Sequence, residues 1–202
     1  DKFEADRGIA ALSAFAIAAS EDNWRGHLVI TAPTGGSAGV MPSLVYGLLE
    51  VRKVDRQKVR DGMLAAAAIG YLCKHHATLS AAEGGCQAEI GVASSMAAAL
   101  PATAYDAEPL VVENAAESAL EHHLGMTCDP VAGYVQVPCI ERCAFGAVKA
   151  WTAYAIASNE IASRHRVNHD ETIIALAQTA KEMNSKYKET SEAGLALSVV
   201  LC

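Results

Sequence analysis

The sequence predicts an all-α protein folded as a single domain. Hydrophobic residues make up 51% of its 202 residues and aromatic residues only 5%. Alanines recur in runs such as 65–68 and 97–99, as expected where helices pack closely. Apolar residues repeat with a helical period over most of the chain, and alternating strand and helix patterns are absent. A helical domain therefore fits better than a doubly wound sheet.

About seven helices account for this periodicity. Asp55 and Asp170 are the expected N-caps of two of them, and Gly125 is an expected C-cap. One run, 28–31, has the apolar character of a strand. Gly- and Pro-containing segments between the helices are where we expect the chemistry. The predicted helices span 5–19, 38–52, 55–76, 88–100, 108–125, 140–164 and 170–185.

Charge and hydropathy exclude several classes of partner. The net charge is -7 and no basic stripe is present, so we expect no binding to nucleic acid or to a membrane. The longest strongly apolar run, 63–73, is too short to span a bilayer, and the first residues lack a signal-peptide layout. We therefore expect a soluble, cytoplasmic protein with a small substrate. The abrupt first helix suggests that an N-terminal portion or a partner is missing.

Six cysteines in a chain without an export signal indicate metal ligands, reactive thiols or buried side chains rather than disulfides. Cys86, Cys128 and Cys139 each lie beside Gly or Pro at a predicted helix boundary. Three thiolates would leave one iron of a [4Fe-4S] cluster open as a Lewis acid. Their spacing matches no ferredoxin or zinc pattern, so a metal site and buried structural thiols both stay open.

Four motifs occur in order along almost the whole chain, and together they resemble the alpha chain, or catalytic domain, of the iron–sulfur-dependent L-serine dehydratases. The resemblance implies a lyase that turns L-serine into pyruvate and ammonia by Lewis-acid dehydration, without pyridoxal phosphate. It also implies that Cys86, Cys128 and Cys139 hold a [4Fe-4S] cluster surrounded by the helices. The motifs are Ala-Pro-Thr-Gly-Gly-Ser-Ala-Gly-Val (32–40), Glu-Gly-Gly-Cys-Gln-Ala-Glu-Ile-Gly-Val-Ala-Ser-Ser-Met-Ala (83–97), Cys-Asp-Pro-Val-Ala-Gly-Tyr-Val-Gln-Val-Pro-Cys-Ile-Glu-Arg (128–142) and Lys-Tyr-Lys-Glu-Thr (186–190).

The same resemblance suggests roles for three further segments. The apolar segment 194–202 ends in Cys202, which we expect to occupy the fourth iron until substrate displaces it. The Gly-rich loop formed by Thr34, Gly35, Gly36 and Ser37 leads into a helix, and we expect it to bind the substrate carboxylate rather than simply to make a turn. Near the active site, Lys186, Lys188 and Thr190 are the candidate catalytic residues, although charged residues here are also typical of a solvated helix end.

The remaining titratable residues have less specific patterns. Cys73 lies within an apolar helix and is predicted to be core, while Cys143 stands where relatives usually carry Asn and is expected to pack near the site. The histidine pairs 75–76 and 122–123 are expected to be partly exposed helix-end residues rather than metal ligands. Glu83 and Glu89 are both candidates for a base or a hydrogen-bond acceptor, and the sequence does not rank them.

Relatives also carry a Ser-Ser-His-Thr-type motif in another domain or subunit, and this chain lacks it. We therefore expect an N-terminal beta-type domain or subunit to complete the enzyme, and we expect the complete enzyme to be a homo-oligomer. Two alternatives stay open. One is a non-catalytic helical domain that binds a cluster or zinc, and the other is a related lyase acting on cysteine or another β-substituted amino acid.

Overall fold

The all-α prediction is confirmed by the structure, a computed structural model that describes residues 7–134 and 136–199. These ranges contain no β-strand, and their one isolated β-bridge joins Cys128 to Lys188. Nor do they contain a helix long and apolar enough to cross a membrane. The α-helices are α1 (Arg7–Trp24), α2 (Val40–Tyr46), α3 (Arg56–His76), α4 (Ala81–Gly84), α5 (Val92–Ala104), α6 (Pro109–Glu121), α7 (Glu141–Ala157), α8 (His169–Glu182) and α9 (Leu195–Ser198).

Short π-helical and 3₁₀ turns extend or precede several of these helices. Wider π-helical turns occur often at functional sites, and two of the three present here lie directly before α5 and α7. The π-helical turns are Gly47–Val51, Gln87–Gly91 and Gln136–Ile140, and the 3₁₀ turns are Val131–Gly133, Ala162–Arg164 and Ser185–Tyr187.

Each of the seven predicted helices is present, but two predicted caps are wrong. Asp55 is confirmed, since its side chain accepts hydrogen bonds from two backbone N–H groups of α3. At α8 the N-cap is Asn168 rather than Asp170. Its side chain accepts from the N–H of Glu171 at 2.8 Å, and the Glu171 carboxylate accepts from the N–H of Asn168 at 3.0 Å. This reciprocal pair satisfies two N–H groups at once, which a cap at Asp170 would not do.

The predicted C-cap at Gly125 is also wrong, because α6 ends at Glu121 and His122 is its C-cap. Gly125 lies in the following turn with φ +82°, where its N–H donates to Oε1 of Gln87 at 2.8 Å. The strand-like run 28–31 forms no strand in the structure. Its Leu28 and Ile30 side chains are 100% and 93% exposed. These two apolar side chains are therefore not buried against any residue that the structure describes.

Helix α5 is the centre of the fold. All of its residues except Thr103 are buried, and it packs against α3, α6 and α7. Most of its side chains are those of Ala or Ser, which is typical of a helix surrounded on all sides by other helices. Because these side chains are small, the neighbouring helix axes can approach α5 closely.

Glycines on the neighbouring helices complete this close packing. A Cβ added to Gly62 of α3 would lie 2.5 Å from the carbonyl oxygen of Leu100. A Cβ added to Gly146 of α7 would lie 2.8 Å from Oγ of Ser94. Both distances are too short for a real contact, so the spacing between α5 and its neighbours depends on glycine at these positions.

Replacing Gly62 with Ala should therefore lower the free energy of unfolding by about 1–3 kcal/mol, because the added methyl group collides with backbone of α5. Equilibrium urea denaturation measures the change. Gly8→Ala is the control, since an added Cβ there meets nothing nearer than Nη2 of Arg52 at 3.7 Å. Equal stability of the Gly62→Ala variant and the parent chain would contradict this account of the packing.

Candidate metal centre

Three cysteines predicted as ligands converge in the structure. The Sγ atoms of Cys86, Cys128 and Cys139 all lie within 4.8 Å of one another, and all three residues are buried. Cys86 directly precedes the π-helical turn before α5, Cys128 lies in the loop after α6, and Cys139 lies in the π-helical turn before α7. The folding of α5, α6 and α7 around one another thus brings together thiols that are distant in sequence.

Local backbone geometry aims two of these thiols inward. Gly85 has φ +73°, and a Cβ there would lie 2.8 Å from the carbonyl oxygen of Met126. Only glycine allows this turn and close approach immediately before Cys86. The backbone of Cys128 is held from both sides, because its N–H donates to the Tyr187 carbonyl at 2.8 Å and its carbonyl accepts from the N–H of Glu189 at 2.7 Å.

The Arg142 guanidinium lies against the thiols, a position that the sequence analysis did not identify. Its Nη1 donates to Sγ of Cys86 at 3.2 Å and to the Thr127 carbonyl at 2.8 Å, and its Nη2 donates to Oδ1 of Asp129 at 3.4 Å. Hydrogen bonds from Cys128 and Cys139, together with the positive charge of Arg142, lower the pKa of the Cys86 thiol. The same hydrogen bonding raises the pKa of Cys128. The centre therefore favours at least one thiolate.

The surroundings of the thiols suit an iron–sulfur cluster. Among the described residues the group consists of three cysteines without a histidine, and three thiolates are the soft donor set that such clusters prefer. Gln87, next to Cys86, is fully buried, and its Nε2 has no hydrogen-bond partner in the parts of the chain that the structure describes. A buried donor without a partner is unfavourable, and a sulfide of a cluster would provide an acceptor. These residues could hold a cluster.

The other cysteines differ from these three. Cys73 is buried in α3 as predicted, and burial raises the pKa of its thiol to about 12. Cys143 lies in the first turn of α7, where its Sγ donates to the Gly36 carbonyl at 3.3 Å, consistent with the expected packing position. Cys202, the expected displaceable ligand, lies outside the described residues.

Two cavities share lining residues, and the smaller of them reaches Cys139. The larger, of about 490 Å³, is lined by residues that include Thr34, Lys74 and Glu83. The smaller, of about 210 Å³, is lined by Cys139 together with residues of α1 and of the Gly-rich loop. Glu89 and Glu189 line both cavities. The walls therefore carry negative side chains next to a candidate metal centre.

Residues of the Gly-rich loop line both cavities, and in the structure the loop contacts a carboxylate of the protein. Thr34 lines the larger cavity, and Gly35 and Gly36 line the smaller. The Thr34 hydroxyl donates to Oε1 of Glu89 at 2.5 Å and lies 3.0 Å from the hydroxyl of the buried Ser37. The loop thus surrounds the Glu89 carboxylate from one side.

Glu89 is the more constrained of the two candidate acidic residues. It is 7% exposed, whereas Glu83 is exposed and accepts a hydrogen bond from the Thr78 hydroxyl. Burial raises the pKa of Glu89 to about 7, against the opposing effect of the hydrogen bond from Thr34. The structure therefore ranks the two residues where the sequence did not.

The segment predicted to contribute catalytic residues lies beside the site. Lys186 is exposed, with its Nζ 5.3 Å from the centre of the Tyr187 ring, and Thr190 donates to the Lys186 carbonyl at 2.8 Å. Lys188 pairs with Cys128 through its backbone. The member of this segment that lines both cavities is Glu189, which the sequence analysis did not single out.

One of the predicted helix-end histidines is placed differently from the expectation. His75, His76 and His122 are exposed as predicted, but His123 is 1% exposed. Its Nδ1 lies 2.6 Å from the Ala119 carbonyl, and burial lowers its pKa to about 4. The prediction failed here because α6 ends against Gly91, where His123 fills the space that a side chain at position 91 would need.

Comparison with known proteins gives consistent matches over almost the whole chain. Residues 4–196 match the family described as serine dehydratase alpha chain. The chain is 49% identical over 192 residues to L-serine dehydratase 2 of Escherichia coli K12, which covers 95% of this chain and 42% of that protein. It is 45% identical over 192 residues to L-serine dehydratase of Streptomyces coelicolor, with 95% and 42% covered. For L-serine dehydratase of Helicobacter pylori 26695 the identity is 49% over 187 residues, with 92% and 41% covered.

We predict that the chain, reconstituted anaerobically with iron and sulfide, binds about one [4Fe-4S] cluster. Cys128→Ala should abolish binding because it removes one thiol from the group of three. Cys73→Ala should not, because that thiol is buried within α3. Iron and sulfide analysis with absorption spectroscopy measures both variants. Full iron and sulfide content in Cys128→Ala would show that this thiol is not a ligand.

A second prediction concerns the partly buried ion pair beside the thiols, in which the Arg142 side chain is 17% exposed and that of Asp129 is 5% exposed. Arg142→Gln leaves the Asp129 carboxylate buried without its cation, so the free energy of unfolding should fall by about 3 kcal/mol. The double variant Arg142→Gln/Asp129→Asn should be more stable than the single one, because it removes the unpaired charge as well. Urea denaturation of the metal-free chain tests both. A double variant less stable than Arg142→Gln would contradict the pairing.

Proposed function

Because this chain belongs to the serine dehydratase alpha chain family, we propose that it is the cluster-binding, catalytic part of an enzyme that converts L-serine to pyruvate and ammonia. The chain spans about 42% of the length of the curated relatives it matches. The activity proposed here is therefore that of a longer protein or of a complex. The observation that carries the proposal is the group of three buried thiols, one of which, Cys139, lines a cavity that is also lined by Glu89 and Glu189.

Cys86, Cys128 and Cys139 are the proposed ligands of the cluster. A [4Fe-4S] cluster held by three thiolates supplies a Lewis acid with one coordination position left for another ligand. Hydrogen bonds from Cys128 and Cys139, and then the charge and hydrogen bond of Arg142, lower the pKa of the Cys86 thiol and so favour its thiolate form. We keep Cys202 as the proposed fourth ligand that substrate displaces.

The proposed substrate site is the space lined by the Gly-rich loop and by Glu89 and Glu189. Two carboxylates in the wall attract the ammonium group of an amino acid. Thr34, Gly35 and Gly36 line this space, and the buried Ser37 lies 3.0 Å from the Thr34 hydroxyl. We propose that the remaining polar groups of these four residues orient the substrate carboxylate. Lys186, Lys188 and Thr190 are proposed to act from the segment that also carries Glu189.

Limited access of water is part of the proposed chemistry. Trp24 and Ile140 line the smaller cavity beside Cys139, and the three thiols are buried. Apolar walls strengthen the electrostatic interactions of the carboxylates and of Arg142 by lowering the local dielectric constant. The product of dehydration is aminoacrylate, which hydrolyses to pyruvate and ammonia after it leaves the site.

A further part of the enzyme is required by this proposal. The relatives are more than twice as long as the matched region, and we propose that an N-terminal beta-type domain or subunit completes the active site. We also propose that the complete enzyme self-associates into a homo-oligomer.

We predict that the chain with its cluster, in the presence of the complementary domain, forms pyruvate from L-serine, while the chain alone shows little turnover. Pyruvate is measured under anaerobic conditions with L-serine, D-serine, L-cysteine and L-threonine as substrates. Cys139→Ala is the matched negative control, because it removes a proposed ligand. Cluster binding without pyruvate formation from any of the four amino acids would favour a non-catalytic domain, and preferred turnover of L-cysteine would favour a related lyase.

A further inference from the structure

We propose that a part of the complete enzyme outside this chain docks on one apolar surface of the chain, and that the docking part presents the open edge of a β-sheet. This docking surface consists of the segment 28–31 and the outer face of α3. The inference rests on the proposed function, since the chain spans about 42% of the length of its curated relatives. It goes further by assigning the surface and the kind of structure that covers it.

The segment 28–31 has the side-chain pattern of a strand without a sheet. Leu28 and Ile30 are 100% and 93% exposed, whereas Val29 and Thr31 are partly buried. This alternation with a period of two residues puts the first pair on one face of the segment and the second pair on the other. Because large apolar side chains are unfavourable in water, burial of Leu28 and Ile30 against another part of the enzyme would be stabilising.

The backbone of this segment also lacks partners. Among the described residues, no N–H or C=O group of 28–31 takes part in a hydrogen bond, although His27 before it donates to the Asp22 carbonyl at 3.1 Å. Peptide groups that become buried need hydrogen-bond partners. A part of the enzyme that covers this segment must therefore offer free backbone groups, and the open edge of a sheet offers them at the matching spacing.

The outer face of α3 extends the same surface. No residue between Gly62 and Cys73 is charged. The inner side of α3 packs against α5, whereas Leu64, Ala68 and Tyr71 are exposed. These three residues are four and three positions apart, so they form one stripe along the helix. A helix that is apolar on all sides is normally buried on all sides, and the described residues leave this outer side uncovered.

A groove joins the two parts of the docking surface. It has a volume of about 270 Å³ and is lined by residues 31–33 together with Ala67, Gly70 and Tyr71 of α3. Lys74 lines this groove and also the larger cavity of the proposed substrate site. A part of the enzyme that docks in the groove therefore lies beside the substrate site.

Charged residues near the ends of the α3 stripe indicate the charge of the docking part. Arg60 lies one turn before Leu64, and Lys74 lies about one turn after Tyr71. Both are exposed, and neither forms an ion pair with a residue that the structure describes. Carboxylates beside the sheet edge would complement these two cations.

A second copy of this chain fits the docking surface less well. The described residues contain no β-strand, so a second copy could offer only its own segment 28–31. Two strands of four residues form a ribbon that is marginally stable in water. Two copies would also bring their Arg60 and Lys74 side chains to one interface, where like charges oppose association. The relatives contain more than as much chain again outside the matched region, and we assign the occupant to that part.

Amide hydrogen exchange of the complete enzyme with its cluster tests the backbone pairing. We expect the amides of 29–31 to exchange at least about 100-fold more slowly than in an unstructured peptide of the same sequence. No hydrogen bond among the described residues of this chain would provide such protection. Free exchange in an enzyme that forms pyruvate would overturn the inference and leave the proposed function intact. A parent enzyme that forms no pyruvate would overturn the proposed function itself.

A photo-crosslinking side chain identifies the occupant. In the complete enzyme, Leu28→p-benzoylphenylalanine places the reactive group at a fully exposed position. We expect the crosslinked peptides to come from outside the region that corresponds to residues 4–196. Crosslinks confined to a second copy of this region, or no crosslink at all, would contradict the assignment.

The variant Ile30→Asp tests the apolar contact. A carboxylate in an apolar interface is unfavourable, so the amides of 29–31 should exchange at least about tenfold faster than in the parent enzyme. The KM for L-serine should rise, because only two residues separate this segment from the Gly-rich loop at Thr34. The absorption spectrum of the cluster should stay unchanged. Ile156→Asp, at an exposed position of α7 outside the docking surface, is the matched control and should change neither quantity. Parent-like exchange in Ile30→Asp would sink the inference.

Discussion

The hydrogen bonding of the Arg142 guanidinium, whose side chain is only 17% exposed, is the interaction on which the site depends most. It joins three parts of the chain, since it starts on α7 and donates to Cys86 before α5 and to the loop at Thr127 and Asp129. A buried cation is unfavourable unless its hydrogen bonds and charge are satisfied. Arg142 meets this condition by binding a thiol, a carbonyl and a carboxylate together. The position of each of these groups therefore restricts the positions of the other two.

The scaffold that supports this interaction owes its rigidity to small side chains. Helix α5 is almost entirely buried and rich in Ala and Ser, and glycines at Gly62 and Gly146 allow α3 and α7 to approach it closely. Close packing of this kind leaves little freedom for the turns at the helix ends. The thiols lie on such turns, so their arrangement follows from the packing of the helices rather than from a local cysteine motif.

The helices were predicted well from the sequence because apolar residues recur with the helical period along each segment, as in α3 and α7. It predicted the three ligands because each lies beside a Gly or Pro turn and because the surrounding motifs resemble a known family. Arg142 and Glu89 were missed or left unranked, since no spacing rule indicates that a residue near a helix start will face a distant thiol or cavity. Burial of His123 likewise depends on the glycine at position 91. This is a contact between two separate segments, and the apolar periodicity of one segment cannot predict it.

The loop of Cys128 also reaches the last part of the described chain. One carboxylate oxygen of Asp129 accepts a hydrogen bond from Arg142. The other accepts a hydrogen bond of 2.5 Å from the N–H of Leu195, at the start of α9. Gly194 has φ +59°, and a Cβ there would collide with the same carboxylate. These two positions, far apart in sequence, therefore constrain each other through a direct contact. A side chain at position 194 would be opposed both by the Asp129 carboxylate and by the positive φ of the backbone, so glycine at 194 is what lets Asp129 bind the start of α9.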